Sequence, residues 1–349
     1  MDADFAWSSS MNRRYRRCLS TSWAVAVLLL SIEAGDERAR AAQATTSVRE
    51  ARVLWRDPGP IAARDLSWSS DPSRGRPTPP FTFLKEDTSG TRPKVIVKDS
   101  LGTIWNVKLA GSPDDEGEVH AEIAAGRLTW ALGYFAEEAY FVADRTIDAV
   151  KMVGRAARGL QQDGRFRAAR FEKRPPEIMR TGEAWSLDRN PFVGTAELSG
   201  LKIWMTMINS WDLGGTRNMA VLRVPGEGDT PELRYLVSDL GATFGRMDRS
   251  GLVRRRTKWR LDDFREQAFI DRVTKESLDL HFAGDGTIDL VPIEHARWFT
   301  RLVTQLTPAQ VRQAFEAAGA TPAEVDGFSA RLLAKISELA TMISIDRPN

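Results

Sequence analysis

Three short runs between Phe81 and Leu109 constrain this chain more than anything else in it. Phe81-Thr-Phe-Leu-Lys85, Lys94-Val-Ile-Val-Lys98 and Thr103-Ile-Trp-Asn-Val-Lys-Leu109 alternate or carry β-branched residues, as half-buried strands do. Their connections, Glu86-Asp-Thr-Ser-Gly-Thr-Arg-Pro93 and Asp99-Ser-Leu-Gly102, are rich in turn residues. A helix follows: Val119, Ile123, Leu128 and Leu132 fall near a 3.6-residue period over Glu118–Leu132, and Gly133 stops it. Three antiparallel strands leading directly into a helix predict an α+β fold.

Phe135–Val142 and Val150–Arg155 read as further strand segments, and Arg165–Lys173 as the last strand of the same sheet. A mainly helical half begins near Thr195. Leu198–Ile208 is apolar at helical spacing, and helices are expected at 262–275, 294–306, 308–318 and 322–343. The expected layout is an extended leader over 45–80, a sheet-plus-helix lobe over 81–190 and a helical lobe over 191–349.

The N-terminus reads as an export signal. Arg13, Arg14, Arg16 and Arg17 precede the apolar run Trp23–Ile32, which is too short for a bilayer that takes roughly 20 residues. Ala42-Gln43-Ala44 matches an Ala-x-Ala cleavage site, so residues 1–44 are expected to leave an exported chain, periplasmic or secreted, with no membrane span. Acidic residues at Glu33, Asp36 and Glu37 blur the cleavage point, Met11 is an alternative start, and an uncleaved anchor is the other option.

Composition excludes several chemistries. The single cysteine, Cys18, lies before the apolar run and leaves with the signal, so the mature chain has no thiol nucleophile and no disulfide. His120, His281 and His295 lack ligand spacing, which argues against a zinc or histidine-triad enzyme. A net charge of +2 gives no field that would call for nucleic acid, and the arginines at 165–174 and 254–260 read as solvated faces. The eleven tryptophans read as packing residues.

Asp-Leu-Gly occurs twice, at Asp212 and Asp239, and each Asp follows an apolar run where the chain turns. Read plainly, both are turns, Ser89-Gly90-Thr91 is a hairpin tip, Lys108 is a strand-edge lysine and Glu122 sits on a wet helix face. The chemical reading takes them together. Phosphoryl transfer needs backbone N–H groups in a turn over the phosphates, a lysine on their oxygens and a helix carboxylate to hold that lysine. It also needs an Asp and an Asn on a metal and a second Asp at the acceptor. The sequence supplies these parts in kinase order: Gly turn, strand Lys, helix Glu, then an Asp loop ending in Asn, and last a second Asp-x-Gly.

The run Ser89-Gly-Thr-Arg-Pro-Lys-Val-Ile-Val-Lys-Asp-Ser-Leu-Gly-Thr-Ile-Trp-Asn-Val-Lys108 resembles the nucleotide-binding hairpins of atypical kinases. These include the type II phosphoinositide 4-kinases, the HipA-type protein kinases and the Fam20-like kinases of the secretory pathway. Residues 55–345 also resemble a set of exported bacterial proteins of unassigned function, through Trp130-Ala-Leu-Gly-Tyr134, Asn190-Pro-Phe-Val-Gly-Thr195, Asn209-Ser-Trp-Asp-Leu213 and Ser238-Asp-Leu-Gly241. The resemblance implies a two-lobed protein-kinase-like fold with ATP or another nucleotide and Mg²⁺ or Mn²⁺ as cofactors. It implies that Ser89, Gly90 and Thr91 cover the phosphates, that Lys108 is the nucleotide lysine and that Glu122 is its partner. Asp212 becomes the catalytic Asp, and Asn218 and Asp239 the metal ligands; the acceptor, whether protein, lipid or small molecule, stays open.

One position departs from the pattern. Kinases place the metal-ligand Asn five residues after the catalytic Asp; here that residue is Arg217, and Asn218 comes one later. Either Gly214-Gly215 lets the loop bulge by one residue, or the metal site is impaired. A pseudokinase, or a non-catalytic envelope protein binding a nucleotide, a phosphorylated ligand or another protein, is the alternative.

Overall fold

The computed structural model describes residues 50–68, 75–151, 154–173, 178–213, 219–226, 230–250, 253–285 and 287–344. The expected signal at 1–44 lies outside them, and so do Gly214–Asn218. In chain order the first strands are β1 (Ala51–Val53), β2 (Phe81–Glu86), β3 (Lys94–Lys98), β4 (Ile104–Leu109), β5 (Phe135–Ala136), β6 (Ala139–Asp148), β7 (Arg165–Lys173) and β8 (Met179–Ala184). Helix α1 (Pro113–Ala131) stands between β4 and β5, and α2 (Ala196–Met207) follows β8. Sheets and helices are mixed throughout.

The alternating face of the first three strands closes on itself. β2, β3, β4, β7 and β6 form a closed barrel, antiparallel except for a parallel seam that pairs Phe81 with Ile147. Phe81, Val95, Val97, Trp105, Val107, Phe166 and Phe171 fill it. The period of two then sends Asn106 and Lys108 outward, where both are still buried, Asn106 donating to Asp87 and Lys108 meeting the carboxylates of α1. Register sets Lys108 opposite Lys94 on one side and Arg170 on the other.

Helix α1 begins at a cap that the sequence provides. The Ser112 hydroxyl accepts from Asp115 N, Pro113 occupies the first turn, and Asp114, Asp115 and Glu116 sit at the positive end of the helix dipole. It ends at Gly133, whose φ is +89° and where a Cβ would lie 2.3 Å from the Arg56 carbonyl oxygen. No other residue fits that crossing.

A second sheet runs β1-β10-β9-β8, with β9 spanning Met219–Val224 and β10 spanning Glu232–Val237. β1 and β5 both pair parallel with β10. The later strands are β11 (Met247–Ser250), β12 (Val253–Arg256), β13 (Ile270–Val273), β14 (Ser277–Leu280) and β15 (Val291–Pro292). Helices α3 (Leu261–Glu266), α4 (Ile293–Val303), α5 (Pro308–Ala317) and α6 (Pro322–Ser344) complete the chain. Phe244, Trp259, Phe264, Phe315 and Phe328 interlock between them, with Trp259 and Phe328 centred 4.5 Å apart.

Three local expectations differ from what is found. Residues 154–159 form a 3-10 turn rather than a strand, because the Glu86 carboxylate accepts from Ala156 N at 2.8 Å. The helix expected over 262–275 stops at Glu266, where Gln267 turns extended and Ile270 pairs with Leu280 in β13–β14. The second half carries strands β9 to β15 beside its helices, so it is less helical than expected. Residues 50–66 of the extended leader are also packed: β1 joins β10, and Leu54, Ile61 and Leu66 are buried in the main core. Gln310 Nε2 donates to the carbonyls of Ile61 and Arg64 at 2.6 and 2.8 Å, which fixes that segment against α5.

Candidate functional site

Lys108 is the centre of the site. Its ammonium lies 2.9 Å from a Glu122 oxygen, 2.9 Å from a Glu118 oxygen and 3.5 Å from Asp239 Oδ1. An aliphatic stem on a barrel strand, flanked by Val107 and Leu109, leaves the charge no exit but towards α1. Burial alone would push this lysine down; the three carboxylates outweigh it and raise it. At Glu122 burial outweighs Arg170 and Lys108 and raises the carboxyl above its ordinary value. Glu118 goes the other way: burial pushes it up, but Lys108 and Lys258 draw it down to about 2.

A buried charge needs partners on every side. Glu122 is shared between Lys108 and Arg170, and Arg170 also holds Glu137 at 2.6 Å and Glu172 at 2.7 Å. Glu118 is shared between Lys108, Arg92 and Lys258. Gly241, the glycine of the second Asp-Leu-Gly, makes room for it: a Cβ there would stand 2.4 Å from Glu118 Cγ.

The segments that carry Asp212 and Asp239 are joined. Phe244 N donates to Ile208 O at 2.9 Å and Trp211 N to Ala242 O at 3.3 Å, so the chain before Asp212 is hydrogen-bonded to the chain after Asp239. Asn209 Nδ2 adds a bond of 2.6 Å to the Gly245 carbonyl. Behind them, the buried Lys335 of α6 donates to Met207 O and Asn209 Oδ1, each at 2.9 Å. Asn209, Asp239, Phe244 and Trp259 all have φ between +49° and +56°. Non-glycine residues adopt that region at a cost, and four at one place mean that the surrounding structure imposes it.

Gly90, Thr91, Arg92, Lys94, Lys108, Glu118, Asp212, Asp239 and Lys258 line one open cavity of about 600 Å³. Of the residues expected from sequence, Gly90, Thr91, Lys108, Asp212 and Asp239 therefore share a wall, and Glu122 stands directly behind Lys108. Ser89 is exposed, caps Asp87 through its N–H at 2.9 Å, and is not among the lining residues. Asn218 and Arg217 lie outside the described residues.

Sequence reasoning missed Glu118, Arg92, Arg170, Lys258, Asn209 and Lys335. For Glu118 a signal existed: it precedes Glu122 by one helical turn, so the two share a face. The other five depend on pairings between distant segments and left no local trace.

Among the described residues no group of three His, Cys, Asp or Glu side chains converges as a metal site. Asp239 lines the cavity with its side chain 49% exposed. No described helix is long and apolar enough to cross a membrane.

No protein-family model matches the chain, and no curated protein matches it. Two solved structures are similar to it at a distance. One is the Helicobacter pylori proinflammatory kinase CtkA, at 11% identity and a TM-score of 0.42, covering 77% of this chain and 96% of that one. The other is the Rio2 kinase from Chaetomium thermophilum in its ADP/Mg²⁺–phosphoaspartate complex, at 11% identity and a TM-score of 0.29, covering 73% and 72%. Likeness at that level does not fix a fold or an activity, which rest on the chain's own geometry.

Proposed function

We propose that this chain is an atypical-kinase-like phosphotransferase that uses a nucleoside triphosphate and a divalent metal. The observation that carries the reading is the Lys108–Glu122 pair at 2.9 Å, with Asp239 at 3.5 Å from the same ammonium. In protein kinases the nucleotide lysine lies on the third strand and pairs with a glutamate of the next helix, while an Asp further along holds Mg²⁺. Here Lys108 lies on the third strand of the barrel, Glu122 on the helix that follows and Asp239 after the later hairpin β9–β10.

In this reading the backbone at Gly90 and Thr91 lies over the phosphates, and Lys108 neutralises their oxygens. Asp239, with Asn218 from the loop outside the described residues, would hold the metal. A metal held there would offset the negative charge that develops on the phosphates. Asp212 accepts the proton of an acceptor hydroxyl as its oxygen forms a bond to the γ-phosphorus and the bond to the β-phosphate oxygen breaks.

The test is nucleotide binding by thermal shift, with and without Mg²⁺ or Mn²⁺, since a ligand specific for the folded state stabilises by about 2.7 kcal/mol at a hundred times its Kd. Asp239→Asn is expected to abolish metal-dependent binding, whereas Asp212→Asn is expected to keep binding and lose transfer. Binding that survives Asp239→Asn unchanged would rule the site out. A second reading is favoured by one sequence observation, Arg217 at the usual metal-ligand position. A pseudokinase would bind nucleotide without turnover, and, with Arg217 as the cause, Arg217→Asn is expected to restore turnover.

A further inference from the structure

Glu118 carries more cations than an ion pair requires. One of its oxygens faces the Lys108 ammonium at 2.9 Å, and the other receives both Arg92 and Lys258. These three cations come from three separate parts of the chain. Arg92 follows the β2–β3 turn, Lys108 lies on β4, and Lys258 lies between β12 and α3. Lys108 does not need Glu118 for neutrality, because Glu122 and Asp239 also face it. Arg92 has Asp115 as a second partner. The carboxylate is buried, yet it lines the 600 Å³ cavity together with Lys94, Asp212 and Asp239.

An Arg fork and two ammonium groups converging on one point suit a tetrahedral oxyanion better than a planar carboxylate, since phosphate offers an oxygen to each. We propose that Arg92, Lys108 and Lys258 form a polyphosphate-binding cluster whose resting occupant is the Glu118 carboxylate. The proposal rests on the phosphotransferase reading for the nucleotide, but the anion site itself does not require transfer. A polyphosphate entering past Gly90 and Thr91 takes Arg92 and Lys258 from Glu118, while Lys108 stays held by Glu122. No bond is made or broken. Lys108 and Lys258 hold the Glu118 carboxyl below its ordinary value despite burial, so it competes with an incoming anion as a carboxylate.

This sets an unusual sign. A carboxylate that only orients Lys108 would weaken binding when neutralised; an internal competitor strengthens it. The experiment is calorimetric titration of the full chain with inorganic tripolyphosphate and, separately, with ATP plus Mg²⁺ at fixed salt. Lys258→Met is expected to weaken tripolyphosphate binding about tenfold, as loss of one charge-assisted contact does, and Lys258→Arg to restore it. Glu118→Gln is expected to tighten binding several-fold. Circular dichroism and melting confirm that each variant is folded, and Lys258→Arg covers the case in which Lys258→Met is not.

Weaker or unchanged binding in Glu118→Gln overturns the proposal. If tripolyphosphate binds with the expected pattern and ATP with Mg²⁺ does not bind, the phosphotransferase reading fails and the anion cluster stands. If ATP with Mg²⁺ binds equally well in wild type, Lys258→Met and Glu118→Gln, the cluster fails and the phosphotransferase reading stands. No binding of either ligand to the wild type removes both.

Discussion

Glu118 shows how one residue couples the site to the stability of the fold. Its carboxyl is held at about 2 against an ordinary 4.5, because Lys108 and Lys258 overcome the cost of burial. A carboxyl depressed on folding contributes stability that is fully present above the unfolded value and is lost as pH falls through the folded one. The window is therefore roughly pH 4.5 down to 2, and linkage over that span allows an order of magnitude of about 3 kcal/mol. Urea unfolding at pH 5 and pH 3 measures it. Wild type is expected to lose stability between those points more steeply than Glu118→Gln, whose amide does not titrate. Equal slopes would mean that the cations around Glu118 do not hold it in solution. Lys108 is the opposite case: its carboxylate partners raise it, so that contribution is full at neutral pH and is lost only in strong alkali.

Among elements, α6 has a duty its sequence does not advertise. Lys335 is fully buried on a helix whose Phe328, Leu332 and Leu339 sit in the main core, with its ammonium over the Phe264 ring at 4.3 Å and two carbonyl-type oxygens as acceptors. Burial pushes it well below the ordinary lysine value. Through Asn209 it fixes the start of the loop that carries Asp212. Lys335→Met is expected to cost about 1–3 kcal/mol by leaving Met207 O and Asn209 Oδ1 unpaired. In a transfer assay it should lower kcat while nucleotide Kd stays near wild type; a parallel loss of nucleotide affinity would place its effect elsewhere. The same helix shows where sequence reading succeeds and stops. The 3.6-residue period located 322–343 to within a residue, and the alternation of 81–109 located β2, β3 and β4, because both patterns are local consequences of burying one face. The closure of the barrel by Phe81 with Ile147, the short α3 and the Arg92–Glu118–Lys258 cluster depend on segments far apart in sequence, so period and propensity carry no mark of them.

At the scale of the whole molecule, the question is where the folded chain begins. Residues 45–80 look like a leader because prolines and charges interrupt every period, yet Leu54, Ile61 and Leu66 each reach the main core, and β1 extends the sheet that ends at Asp239's turn. Trp55 Nε1 donates to Leu132 O at 2.7 Å, and Arg127 Nη1 to Leu66 O at 2.9 Å, so the segment is bound to the C-terminal end of α1. Burying three aliphatic side chains is worth about 1.5–3 kcal/mol each, which together rivals the net stability of a domain. An export signal cut after Ala44 leaves all of this intact; a cut after Leu66 would remove it. We therefore expect that a chain starting at Thr45 folds with a single cooperative melt and binds nucleotide as the longer chain does. A chain starting at Ser67 should be insoluble or melt far lower. N-terminal sequencing of protein recovered from the source cell's envelope or medium should find Thr45 or a near neighbour, and recovery of Met1 or Met11 on soluble protein inside the cell would reject export. If the Ser67 chain were as stable as the Thr45 chain, the buried contacts of Leu54, Ile61 and Leu66 would be incidental to the fold, and the domain would have to be redrawn to begin at β2.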